Sequence, residues 1–546
     1  MASRTDGRLK NGVIGSLLML ALIAPASGNS PPREVQPSND GYAREEKFVL
    51  NEVIVLSSPP NKATLPADTV EKARLKLLYC VETTGDCVYS YPPECGACPD
   101  EVAARLNQDI MSCRASPGHR DNPARRPGKQ WQVIPNAILT MDQPQEVAAS
   151  AFLPIGLDPD EFFVKQTELQ RIGAKAAWSD VSPNSNIITA VIDTGIQLDH
   201  PDLAPNLLSG TTIPCRTQPC DGGATGLPHG TSMAGTIAAA RFNGGIVGMA
   251  WNTLVLPIKA TNEFGQSNDG DASKAIEYAL SHGARVLNLS FNSDAPTTAI
   301  KRVLDSSNRP FLLMVPAGNN PRDLDAPGQH SYPASLKDKQ RILAVMSHDD
   351  QDRRESTSGW GKETVDIAAP GAMYSSKICT GTACYSLSKL STSNATSYVS
   401  GAAALLWSRY PDWHPADIRW RILENAKRAE KLVDFLDPPR RLDLERMMFP
   451  VRFIVADADR RIHRSALQAV DLTQQALPAK FDLSTTFPPG MCKSTTVDLI
   501  RANQSVQQSL SPSQAAIGDA IQFIATCHRT AGANYTALSV IYQVIG

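Results

Sequence analysis

Five short apolar runs constrain this chain most: IITAVI at 187–192, VLPIK at 255–259, RVLNLSF at 285–291, PFLLMVPAGN at 310–319 and RILAVMS at 341–347. They lack the in–out alternation of a half-solvated strand, so they suit strands covered on both faces, as in a parallel sheet. Between two of them, DASKAIEYALSHG at 271–283 carries apolar residues at helical spacing. Ala395 to Trp407, and the segment 411–428, read as further helices closing the same unit. Strands alternating with helices imply right-handed crossovers and a doubly wound, mainly parallel α/β sheet. A fold of that kind sets its chemistry at the carboxyl ends of the strands.

The 546 residues suffice for about three domains. A formal net charge of −2 gives no reason to expect nucleic acid or an electrostatically held membrane surface as a partner. At the start, Arg4, Arg8 and Lys10 precede the run Val13–Ile23 and the small residues Ala24-Pro25-Ala26. That is the layout of a secretory signal peptide, expected at 1–26 with cleavage after Ala26. The run is too short to span a bilayer, so no transmembrane anchor is expected and the mature protein should be soluble and exported, to periplasm or medium.

The eleven cysteines suit that compartment. Cys215 with Cys220, and Cys379 with Cys384, are spaced to staple surface loops, and Cys492 and Cys527 can pair within the tail. Cys80, Cys87, Cys95, Cys98 and Cys113 form an odd cluster. Cys95 and Cys98 lack the second half of a zinc site, so disulfides are the expected use.

Residues 27–155 are an α/β stretch behind a polar, Pro-rich linker, either a propeptide or a retained Cys-containing accessory region. FVLNEVIVL at 48–56 and WQVIPNAILTM at 131–141 read as strands, and TVEKARLKLLYC at 69–80 has helical spacing. The central α/β unit is expected over 160–430, and 445–546 is a small C-terminal domain of unknown role.

Three segments carry chemistry: VIDTGI at 191–196, HGTSMAG at 229–235 and STSNATSYVSGAAA at 391–404. They offer Asp193 at a strand end, His229 at a helix start and Ser393 in a Ser/Thr-rich turn. Alone, each could be a turn or capping residue. Together, an acid, an imidazole and a hydroxyl are what activates a serine toward an acyl carbon. The order Asp, His, Ser is that of the subtilisin arrangement. Across roughly 160–430 these segments resemble the subtilisin-like (subtilase) serine peptidase family.

The resemblance implies an acyl-enzyme on Ser393, His229 as general base and Asp193 as its orienting acid. It also assigns Asn319, in Pro316-Ala317-Gly318-Asn319, to an oxyanion hole. Ser290, Phe291 and Asn292 fall on the edge that pairs with an extended peptide, with Ala317 and Gly318 beside them, so protein or peptide substrates are expected. Oligomeric state stays open. The family binds structural calcium in many members, and no EF-hand-like loop locates such a site here.

Against the family pattern G-T-S-M-A-x-P-x-V-x-G, Ser391 replaces Gly, Asn394 replaces Met and Ser397 replaces Pro. Ser391 would be strained if its position needs a positive φ. Asn394-Ala395-Thr396 also spells a glycosylation sequon, discounted because modification there would block the site. Asn292 stands where the family has glycine, which adds bulk to the substrate edge. These departures leave two alternatives open: a catalytically silent scaffold of the same fold, or a narrow-specificity maturation protease.

Overall fold

The structure is a computed structural model. It describes residues 48–57, 75–91, 102–103, 131–141, 146–147, 161–180, 185–215, 219–388 and 390–450, with short pieces from 452 to 545. The signal segment, the linker before residue 48, and Cys95, Cys98 and Cys113 lie outside the described residues.

All five apolar runs are strands of one nine-stranded sheet. From one edge it runs Lys427–Arg428, Arg440–Arg441, Ile367–Pro370, Ile342–His348, Leu312–Pro316, Val286–Leu289, Ile188–Asp193, Leu254–Lys259 and Thr211–Thr212. Every pairing is parallel except that of Lys427–Arg428 with Arg440–Arg441. Successive side chains feed two different cores, which explains the missing alternation. Val191, Val255, Leu312, Met314, Leu343 and Val345 face one core. Ala190, Ile192, Leu256, Leu313, Val315 and Ala344 face the other.

Two helices define the first core. His229–Ala238 is buried along its whole length, and Thr392–Arg409 is buried from Thr392 to Trp407. The long helix crosses the strands from Val286 to Pro370 and packs against its shorter neighbour. Gly401 permits the approach, since a Cβ there would lie 2.7 Å from Met249 Cβ. On the other face lie Asp269–Ser281, capped by Asn268 accepting from Asp271 N–H, and Thr298–Ser306. The buried Asp269 carboxylate caps the second of these by accepting from Ala299 and Ile300 N–H at 2.8 and 3.0 Å.

The first strand of this sheet in sequence, Ile188–Asp193, sits between Leu254–Lys259 and Val286–Leu289, so the winding reverses at its carboxyl end. A crevice is expected at that point, and Asp193 closes the strand there.

The N-terminal stretch forms an antiparallel sheet in the order Lys76–Cys80, Cys87–Ser90, Phe48–Ser57, Trp131–Thr140. Both strands read from the sequence are present. The helical spacing at 69–80 misleads over its described end, because Lys76–Cys80 is a strand. Pairing with Cys87–Ser90 and the Cys80–Cys87 disulfide outweigh the local pattern.

The close pairs Cys215–Cys220 and Cys379–Cys384 are bonded, as is the expected tail pair Cys492–Cys527. The sheet runs past residue 430, through Arg441. Beyond it, Ser494–Arg501 pairs with Ala520–His528, and Phe487, Phe523 and Cys527 join the first core. Buried Arg421 donates to the carbonyls of Met447 and Thr486, tying this region to the helix Pro415–Glu424.

Candidate active site

The geometry starts from Asp193, fully buried at the switch point. A carboxylate taken out of water needs hydrogen bonds. Its Oδ1 accepts from Thr194 N–H at 2.7 Å and faces His229 Nδ1 at 2.8 Å, with Oδ2 at 3.0 Å. Bonding at Nδ1 fixes the tautomer that leaves Nε2 able to accept a proton. Gly230 lets the helix begin this close to the strand, since a Cβ would meet Gly195 O at 2.3 Å. Its N–H donates to Thr194 Oγ1 at 2.9 Å, binding the Asp and His segments together. Among the described residues, the buried His229 Nε2 has no hydrogen-bond partner, so no bond to Ser393 Oγ is closed.

Ser393 is the second residue of the helix Thr392–Arg409, at the end where unpaired N–H groups favour negative charge. Ser391 is the N-cap, with φ −144° and ψ 143°. That is extended backbone open to any residue, so the strain anticipated from losing glycine does not arise. Ser391 Oγ accepts from Ser393 N–H at 3.1 Å. Ser397, where the family has proline, returns its hydroxyl to Asn394 O at 2.7 Å within the helix. Asn394 is fully buried and donates to Gly371 O and Ser388 Oγ at 2.8 and 3.0 Å, so the sequon offers no accessible amide.

Asn319 follows the strand Leu312–Pro316 through Gly318, whose φ of +94° places the turn in the glycine region. Asn319 Oδ1 accepts from Thr392 N–H and Oγ1–H, both at 2.8 Å, and Nδ2 donates to Ser391 Oγ at 3.3 Å. The asparagine is therefore locked onto the turn that carries Ser393.

The expected substrate edge is in use. Thr140 N–H donates to Asn292 O at 2.8 Å, and Asn292 N–H donates to Thr140 O at 3.0 Å. On its other side the strand Trp131–Thr140 pairs with Gln266–Asn268, from Ile138 to Thr140. The chain's own N-terminal strand thus lies between two edges as an extended peptide would. Nothing in the sequence pointed to Gln266–Asn268 as the second edge. An irregular three-residue strand leaves no periodicity to read.

Beside it, Ser290 Oγ accepts from Asn288 Nδ2 at 2.9 Å, and Asn288 Oδ1 accepts from Ser400 of the long helix at 2.8 Å. Phe291 is wholly inside the second core, so only its backbone can face a peptide. Ala317 is buried and its N–H bonds Val345 O within the sheet. Asn292 Nδ2 lies 2.5 Å from where a Gly318 Cβ would stand and 3.4 Å from Ser331 Oγ.

The subtilase family model matches residues 184–438. Subtilisin E of Bacillus subtilis (strain 168) is 30% identical over 336 residues, covering 58% of this chain and 83% of that protein. This chain belongs to the subtilase family. Subtilisin of Bacillus pumilus and Subtilisin Savinase of Lederbergia lenta are each 33% identical, over 260 and 259 residues, covering 47% of this chain and 90% of each relative. The doubly wound α/β fold is thus the subtilase fold, and the chain is a serine peptidase of that family acting on protein substrates.

A structural calcium site would need a cluster of oxygen donors. Among the described residues, His200, Cys379 and Cys384 are the one grouping of three ligand-type side chains, within 4.8 Å of one another. Both cysteines are held in a disulfide, and nitrogen and sulfur are the wrong donors for calcium, which takes oxygen. Among the described residues no helix is long and apolar enough to cross a membrane.

Proposed function

We propose that this chain is an exported serine endopeptidase that cleaves peptide bonds through an acyl-enzyme on Ser393. The observation that carries the reading is the buried Asp193–His229 pair at the switch point, on the same carboxyl-end side of the sheet as the Asn319 turn that holds the helix terminus bearing Ser393.

In the proposed cycle, Ser393 Oγ attacks the scissile carbonyl carbon and its proton passes to His229 Nε2. Asp193 holds the imidazole by Nδ1–H and stabilises the imidazolium. The carbonyl oxygen becomes an oxyanion facing Ser393 N–H and Asn319 Nδ2–H. Collapse of this intermediate expels the amine, which takes the proton from Nε2. Water repeats the sequence on the ester and releases the acid. The unbonded Nε2 suits a base whose bond to the serine tightens only with substrate bound.

Residues 27 to about 155 serve as an inhibitory propeptide in this reading, because Ile138–Thr140 fills the peptide edges. The basic start of the chain and its four disulfides among the described residues support export. The silent-scaffold reading draws on one observation, the unclosed contact between His229 Nε2 and Ser393.

One experiment separates them. A fluorophosphonate probe should label Ser393 in the wild-type protein and nothing in Ser393→Ala, which should have lost proteolysis. Full proteolysis by Ser393→Ala, or labelling of another serine, rejects the mechanism. N-terminal sequencing of the active form should read from residues 150–165. A fully active form beginning at Ser27 rejects the propeptide.

A further inference from the structure

Ser391 Oγ accepts a hydrogen bond from each of the two groups assigned to the oxyanion: Ser393 N–H at 3.1 Å and Asn319 Nδ2 at 3.3 Å. The side chain is buried, with 1% of the residue exposed, and the N-cap backbone holds it in place. A single oxygen facing both donors stands where an oxyanion would be received. The family pattern has glycine at this position and thus no side-chain oxygen to put there. We infer that Ser391 is a built-in occupant of the oxyanion hole, which substrate must displace before the tetrahedral intermediate can form.

This inference rests on the peptidase reading given above. The hydroxyl competes only in the resting site, since a neutral oxygen is a weaker acceptor than the charged oxygen that develops during attack. Displacement needs a turn about χ1 of Ser391, from one staggered position to another. Both donors then exchange a neutral acceptor for a charged one, so the site still works, but part of its binding energy is spent on clearing it. Because the loss falls on the step that forms the oxyanion, it should appear in kcat and scarcely in KM.

The test compares Ser391→Gly and Ser391→Ala with the wild type on a chromogenic peptide. It also compares inhibition by the matching peptide aldehyde, whose hemiacetal with Ser393 presents an oxyanion, with that by the matching product acid. Glycine is nearly as good an N-cap as serine, so the fold should survive the first change. Expected is a rise in kcat of about tenfold, equivalent to about 1.4 kcal/mol of barrier, with KM changed less than twofold. The aldehyde should bind about tenfold tighter and the product acid unchanged. In an Asn319→Ala background the gain should shrink by at least half, because one of the two shared donors is gone.

A fall in kcat in both variants would mean that the hydroxyl donates to the oxyanion, and overturns the inference. Equal gains with and without Asn319 also overturn it. A simple loss of the helix cap would lower the Tm of Ser391→Ala without separating aldehyde from acid, which is the third overturning result. If neither the wild type nor any variant hydrolyses peptide or takes the fluorophosphonate, the peptidase reading falls and this inference with it. Equal, measurable kcat in all forms removes this inference alone.

Discussion

Thr140→Pro tests whether the N-terminal strand shields the cleft. Thr140 is the last residue of its strand and exchanges two backbone bonds with Asn292, at 2.8 and 3.0 Å. Proline has no N–H, so the shorter bond is lost and Asn292 O is left without that donor. Stranding a partly buried carbonyl costs about 1–3 kcal/mol, and the middle of that range corresponds to roughly a 30-fold shift in occupancy of the cleft. The assay is the rate at which an extended peptidyl phosphonate labels Ser393 in the intact chain, with intact mass confirming that no N-terminal residue has been lost. Thr140→Pro should label about 30-fold faster. A small fluorophosphonate without a peptide portion should respond far less, since it does not need the edges. Equal labelling of the two proteins by the peptidyl probe would refute the argument.

Other expectations follow from the same geometry. Asp193→Asn should lower kcat by about 10⁴, with the protein still folded by circular dichroism, because an amide cannot hold the His229 tautomer as a carboxylate does. Gly401→Ala should cost about 1–3 kcal/mol in a denaturant titration, since its Cβ would fall 2.7 Å from Met249 Cβ in a filled core. Glu355 is buried, and that burial, with Asp349 adding to it, pushes its carboxyl from 4.5 up to about 7. The folded state therefore favours the protonated acid: its stabilisation is complete below pH 4.5 and is lost as pH rises through 7. Glu355→Gln should raise Tm at pH 8, change it little at pH 4, and so flatten the pH profile of thermal melting.

The sheet was legible because its strands feed two cores, and a strand with two dry faces must be apolar throughout. The placing of Asp193, His229 and Ser393 at strand and helix termini was legible for a related reason: Gly and small residues mark the close approach of backbone there. The strand at Lys76–Cys80 is not legible locally because its pattern answers to a neighbour across the chain and to a disulfide, neither of which has a local signature. Ser391 was noticed as a departure from glycine, yet what matters about it is the placement of one oxygen, not its backbone angle. Residue identity showed that something had changed there, and only the hydrogen-bond partners show what.

The proposed nucleophile sits on a helix with no exposed residue from Thr392 to Trp407. Such a segment has no local opening that leaves the rest of the molecule standing. Its amide protons should therefore exchange with solvent only when the whole unit unfolds, as the slowest class in the protein. Heat inactivation should then follow the unfolding curve itself, with no folded but idle species below the melting temperature. An enzyme that shares its compartment with its own copies gains from this, because a serine mounted on the last element to open is never presented on a half-open chain that another copy could cut.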